Sequence, residues 1–158
     1  MSCTRADDLN FTFTENGPTI GDVTVSWSLP ATLDSTTPGF SPGTGGFVVA
    51  AIATITVGGS TLQAIDLFNF NDASLGIEFA TLGPLSLSGV PTLFSGTADN
   101  PTFIPGVYNG FDTSNLDVNG APDAATLSIS APEPSSILML CMGFLVVAGA
   151  LAVKKAAA

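Results

Sequence analysis

The chain contains no histidine and only three basic residues in 158 positions. The first absence removes the commonest general base and metal ligand, together with every Ser-His-Asp and Cys-His arrangement. The second disfavours nucleic acid, because Lys and Arg supply most of the affinity for phosphate. Arg5 is the one basic residue ahead of Lys154, whereas all 13 acidic residues precede Pro134. An anionic membrane face would be repelled by such a body for the same reason. Cysteine is scarce as well. Cys3 stands near the start and Cys141 inside an apolar run, so no disulfide is expected and cysteine usage gives no redox signal.

Charged residues make up only 10% of the chain, against roughly 25% in an ordinary soluble domain. Ser, Thr, Gly and Asn take their place. With 17 Gly and 11 Pro, this mixture breaks helices and favours short strands joined by many turns. The length suits one compact domain.

Alternation supports an all-β reading. Leu9, Phe11 and Phe13 alternate with polar residues up to Asn16-Gly17-Pro18, and Val23, Val25, Trp27 and Leu29 do so up to Pro30. Residues 30–46, rich in Pro, Gly, Ser and Thr, read as a long loop or a poorly ordered edge that Phe40 pins to the core. Phe47 to Val57 is apolar and β-branched, and Gly58-Gly59 separates it from Ser60 to Leu67, which is a two-residue hairpin signal. Further strands are expected at Gly76 to Thr81, Leu85 to Leu87, Thr92 to Ser95, Gly106 to Tyr108 and Ala125 to Ser130. Eight to ten short strands predict an antiparallel β-sandwich or jelly roll over residues 7–130.

Ile137 to Val153 is uncharged, and as a helix it would cover about 26 Å, close to the thickness of a bilayer core. Lys154 and Lys155 follow it, and the positive-inside rule would hold this end, residues 154–158, on the cytoplasmic side with the body outside. Residues 131–136, immediately before the run, contain Pro132-Glu133-Pro134, where two prolines favour an extended segment that an enzyme cleft could grip. Pro-Glu-Pro, then Ser, an apolar helix and a short basic end resemble the PEP-CTERM sorting signal of Gram-negative bacteria.

The resemblance covers Pro132 to Lys155 and implies a substrate rather than an enzyme. An exosortase would recognise Pro132, Glu133 and Pro134 at the inner membrane, process the chain near them and release the body to the cell surface or extracellular matrix. The basic end is two lysines where arginine clusters are common in the family. Leu93-Phe94-Ser95-Gly96 and Pro101-Thr102-Phe103 also resemble strings in the bodies of PEP-CTERM proteins, without implying an activity. Met1 to Asn10 has no apolar stretch and cannot direct secretion, so residues 1–6 are read as a signal-peptide remnant or a misassigned start, with Thr4, Arg5 and Ala6 the tail of that peptide and Asp7 near the mature start.

Within the body, Asp66, Asp72 and Glu78 are the carboxylates to consider for a paired-acid mechanism, and all three are expected to be solvated strand or turn residues. Calcium is the metal to consider, because Asp112, Asp117, Asn119 and Asp123 fall in one loop-like stretch from Gly110 to Asp123, although their spacing misses the EF-hand pattern. Otherwise no cofactor is expected. Trp27 and Tyr108 are the only Trp and Tyr, and Trp27 is in phase with Val23 and Val25, which argues against an aromatic sugar platform. The chain therefore reads as a non-enzymatic surface protein. The alternative is an extracellular module binding polysaccharide or calcium.

Overall fold

The computed structural model describes residues 8–17, 21–71, 74–79, 83–116 and 121–132, and these form eleven strands. They are β1 (Asp8–Gly17), β2 (Gly21–Pro30), β3 (Phe40–Gly43), β4 (Gly46–Val57), β5 (Ser60–Asn71), β6 (Ser74–Phe79), β7 (Gly83–Ser88), β8 (Phe94–Thr97), β9 (Asn100–Phe103), β10 (Gly106–Leu116) and β11 (Pro122–Ser130).

All-β is correct, but the sandwich is not. The main sheet runs β2-β1-β11-β10-β7-β6-β5-β4-β3, and a further β2–β4 pairing closes it on itself. Leaving aside β3 and the β8–β9 hairpin, each strand pairs with its neighbour in sequence, and β11 returns to β1, so the body is an eight-stranded up-and-down barrel. A sandwich needs chain crossings between two sheets, and here no main-sheet connection makes one.

Period-two alternation determines which side chains fill the barrel. From β1, Leu9, Phe11 and Phe13 point inward, and from β2 come Val23, Val25, Trp27 and Leu29. Eight strands enclose a space just wide enough for side chains, so these residues make a solid core rather than a lumen. Trp27 stacks on Phe68 at 4.1 Å between ring centroids and on Phe11 at 5.2 Å. The outer wall carries polar rows beside exposed apolar side chains such as Ile52, Ile65 and Val107. Cross-strand registers align Thr126, Thr14, Thr24, Thr56 and Thr61 in one row over five strands, and Thr56 and Thr61 share a 3.0 Å hydroxyl hydrogen bond.

Local chemistry explains the best-defined hairpin. Gly58 and Gly59 have φ of +54° and +83°, the left-handed pair of a two-residue turn whose twist matches its strands, and β4 and β5 then pair over their full length from Val57↔Ser60 to Gly46↔Asn71. The predicted loop at 30–46 contains β3, and Phe40 packs on Phe47 at 5.6 Å as expected. The preceding connector is tied to β9. Leu33 N donates to Pro101 O at 3.0 Å, and Phe103 N donates to Ala31 O at 2.9 Å. That lays the β8–β9 hairpin over one mouth of the barrel and presses Phe103 onto Phe11 and Phe70 at 4.8 and 5.0 Å.

No helix among the described residues is long and apolar enough to cross a membrane. The expected span at 137–153 lies outside the described residues, as do Cys3, Cys141, residues 1–6, Glu133, Pro134 and the two lysines.

Candidate functional site

Four of the described carboxylates are buried in a barrel whose interior is otherwise apolar: Glu15, Asp66, Asp112 and Asp123. Strand parity accounts for three of them. Glu15 continues the inward series of Leu9, Phe11 and Phe13. Asp66 is in phase with Phe68 and Phe70, and Asp123 is in phase with Ala125, Leu127 and Ile129.

Of the four proposed calcium ligands, Asp117 and Asn119 lie outside the described residues, whereas Asp112 and Asp123 are direct cross-strand partners on β10 and β11. The expected loop between Gly110 and Asp123 is corrected, since β10 runs on to Leu116 and β11 starts at Pro122. The register between these strands shifts after Asp112, and among the described residues the β7–β10 ladder holds only the Phe111↔Ser88 pair.

Asp112 stands in for the missing ladder. Its Oδ1 accepts from Ser86 N at 3.0 Å, Ser86 Oγ at 2.8 Å, Ser114 N at 2.8 Å and Ser114 Oγ at 2.5 Å. Such a carboxylate stitches two strands together, and four donors already converge on its Oδ1. Among the described residues, no group of three or more His, Cys, Asp or Glu is arranged to hold a metal ion.

Glu15 sits against this pair and was not singled out from sequence, although its place in the β1 alternation was the available signal. Burial pushes its carboxyl up from 4.5 to about 7, and the negative charges of Asp112 and Asp123 push the same way. When ionised, Glu15 has no donor for either oxygen, and Asp123 Oδ2 has none either. Once protonated, Glu15 can donate to Asp112 or Asp123, which is why the neutral form belongs in this environment.

The paired-acid candidates separate across the barrel wall. Asp66 is buried inside, contrary to the expectation that it would be solvated, and burial raises its pKa, whereas Glu78 is exposed outside and Asp72 lies outside the described residues. On opposite faces of one sheet, Asp66 and Glu78 cannot flank the same bond. Neither of the candidate platform rings is presented to solvent. Trp27 is buried, and Tyr108 is buried with its hydroxyl donating to Ile104 O at 2.6 Å.

A concavity opens on the outer wall. β2 pairs with β4 only from Val23↔Val57 to Ser26↔Thr54, while the other end of β4 pairs with β3. Between these pairings the two strands part, and the Thr37-Pro38 turn overhangs the gap, leaving an open groove of about 1120 Å³. Ser130, the last residue of β11, is in its lining. No family model, curated protein or solved structure matches this chain.

Proposed function

We propose that this chain is a non-enzymatic, extracytoplasmic barrel protein delivered to the cell surface or extracellular matrix by an exosortase acting on its C-terminal segment. The observation that carries the reading is where the barrel ends. β11 closes on β1 through Asn10↔Ser130, and Ala131 is exposed, so the last wall strand is complete two residues before Pro132. A processing enzyme could therefore cut after the barrel without removing any of its strands.

In this reading Pro132, Glu133 and Pro134 are the recognition residues. Ile137 to Val153 anchors the chain in the inner membrane until processing, and Lys154 and Lys155 fix the orientation. The aromatic end of the interior, packed with rings and aliphatic side chains, supports a structural role for the barrel.

Co-expression with and without a cognate exosortase tests the proposal by intact mass. Loss of the apolar segment and release of the body only when the enzyme is present is the expected result. Identical mass and location in both strains would overturn it. Pro132→Ala with Pro134→Ala should return the unprocessed form.

A further inference from the structure

We infer that the groove between β2 and β4 is a binding site for a neutral, polyhydroxylated ligand of the oligosaccharide class. The inference is independent of the sorting route, since processing can fail while binding holds, and the reverse.

The first observation is the charge of the lining. In a chain of net charge -10, no charged residue among those described borders the groove. Its polar side chains are hydroxyls and amides, with Asn10, Thr12, Ser26, Ser28, Thr54 and Gln63 forming the floor. An anion would find no cation there, and a metal ion no carboxylate. Ser28 Oγ donates to Asn10 Oδ1 at 2.9 Å, which leaves the amide's N–H donors unspent, and Gln63 Nε2 donates to Thr54 Oγ1 at 3.3 Å. Donors and acceptors are thus interleaved at fixed cross-strand positions, which is what a chain of ring hydroxyls requires.

The second observation is the backbone. Trp27–Pro30 of β2 and Ala51–Ala53 of β4 have no described strand partner on the side facing the gap. Strand edges ordinarily call for cover, and here they add fixed hydrogen-bonding groups to the floor. The third is the apolar rim of Pro30, Pro38 and Ile52, the last of them 67% exposed and paired with Ile65, itself 74% exposed. Sugar rings present C–H faces as well as hydroxyl edges, and such a rim meets those faces without an aromatic plate.

An extended peptide could also use the strand edges. It would need alternating side-chain pockets for specificity, whereas here the polar side chains of the floor lie beside Ala50, Ala51 and the buried Phe11, Trp27 and Leu29, a mixture of hydrogen-bonding and apolar surface without such pockets, so the oligosaccharide is the better match.

The test uses the full chain in dodecylphosphocholine, a detergent without a sugar headgroup, titrated calorimetrically. The probes are cellohexaose, maltohexaose, xylohexaose and mannohexaose, with hexagalacturonate as the anionic control and a neutral Ser/Thr/Val decapeptide as the strand control. At least one neutral hexasaccharide should bind with a Kd below about 1 mM, and hexagalacturonate at least tenfold more weakly. Asn10→Ala combined with Gln63→Ala should weaken binding about tenfold, Ser28→Ala should weaken it less, and Asn109→Ala on β10, outside the groove, should leave it unchanged. Near-UV circular dichroism establishes that each variant is folded. Absence of binding by all four neutral probes at about 10 mM, binding indifferent to the groove substitutions, or binding of the decapeptide alone would each overturn the inference.

Discussion

At one end of the barrel Phe11, Phe47, Phe70 and Phe103 close on one another beneath the β8–β9 hairpin, while at the other Glu15, Asp112 and Asp123 occupy the positions that apolar side chains hold elsewhere. Both ends are buried and both are built from inward-facing strand positions. They differ in what burial does. It stabilises the aromatic end at about 25 cal/mol per Å² of apolar surface, and it penalises the acidic end unless every charge is neutralised or given a donor. Asp112 meets that condition through Ser86 and Ser114, whereas Glu15 meets it only by holding a proton. Stability should therefore come from the plugged end and pH sensitivity from the acidic end.

The largest test of this contrast is Phe103→Ala. Phe103 sits within 5.8 Å of three other rings and anchors the plug, so truncation should cost about 3 to 5 kcal/mol and lower Tm by roughly 10 °C in a thermal melt. A loss below about 1 kcal/mol would mean that the hairpin is a loose cover and not part of the core.

The second test is pH. The Glu15 carboxyl is raised from 4.5 in the unfolded chain to about 7 in the barrel, so the folded state binds the proton more tightly. The stability this contributes is fully present below 4.5 and is lost as pH rises through 7, a decline of at most about 3 kcal/mol. Asp66, raised by burial, slopes the same way, whereas Asp34, lowered by hydrogen bonds from Thr36, matters only in more acid solution. Denaturant midpoints measured at steps from pH 4.5 to 8 should fall, and Glu15→Gln should flatten most of that slope while leaving the aromatic end unaffected. A slope unchanged by Glu15→Gln would place the titration elsewhere.

Much of the wall was legible in the residues, and its closure was not. The β4–β5 hairpin was readable because Gly58-Gly59 fixes both turn and register. Alternation placed Phe11, Val25 and Trp27 inside, but a sandwich and a barrel demand the same alternation, and only the long-range β2–β4 and β1–β11 pairings distinguish them. β9 was missed because Asn100-Pro101 signals a turn, and β10 was cut short because Gly110 and Asp112 do too. Gly110 is required there for a different reason, since a Cβ would collide with the Ser88 carbonyl of the adjoining strand. Asp112 and Asp123 stand out in the sequence only as candidate calcium ligands in one segment. Their strand-stitching and charge-coupling roles depend on Ser86 and Glu15, which are distant in sequence.

The smallest effect, and the most discriminating, belongs to Asp66, an acid placed on the strand that carries Phe68 and Phe70 into the aromatic core. Its Oδ2 is buried without a donor, and the indole N–H of Trp27, which stacks on Phe68 of the same strand, is likewise buried and unpartnered. Asp66 thus carries a desolvation penalty with no compensating bond at that oxygen, unlike Asp112. Asp66→Leu exchanges it for apolar contact of similar volume and should stabilise the barrel by about 1 to 2 kcal/mol at pH 7, with less gain at pH 4, where the carboxyl is more often neutral. Chemical denaturation at both pH values gives the comparison. If Asp66→Leu destabilises the barrel, the carboxyl has a partner in solution, and the division between an apolar end and an acidic end would have to be redrawn with Asp66 as a second polar centre.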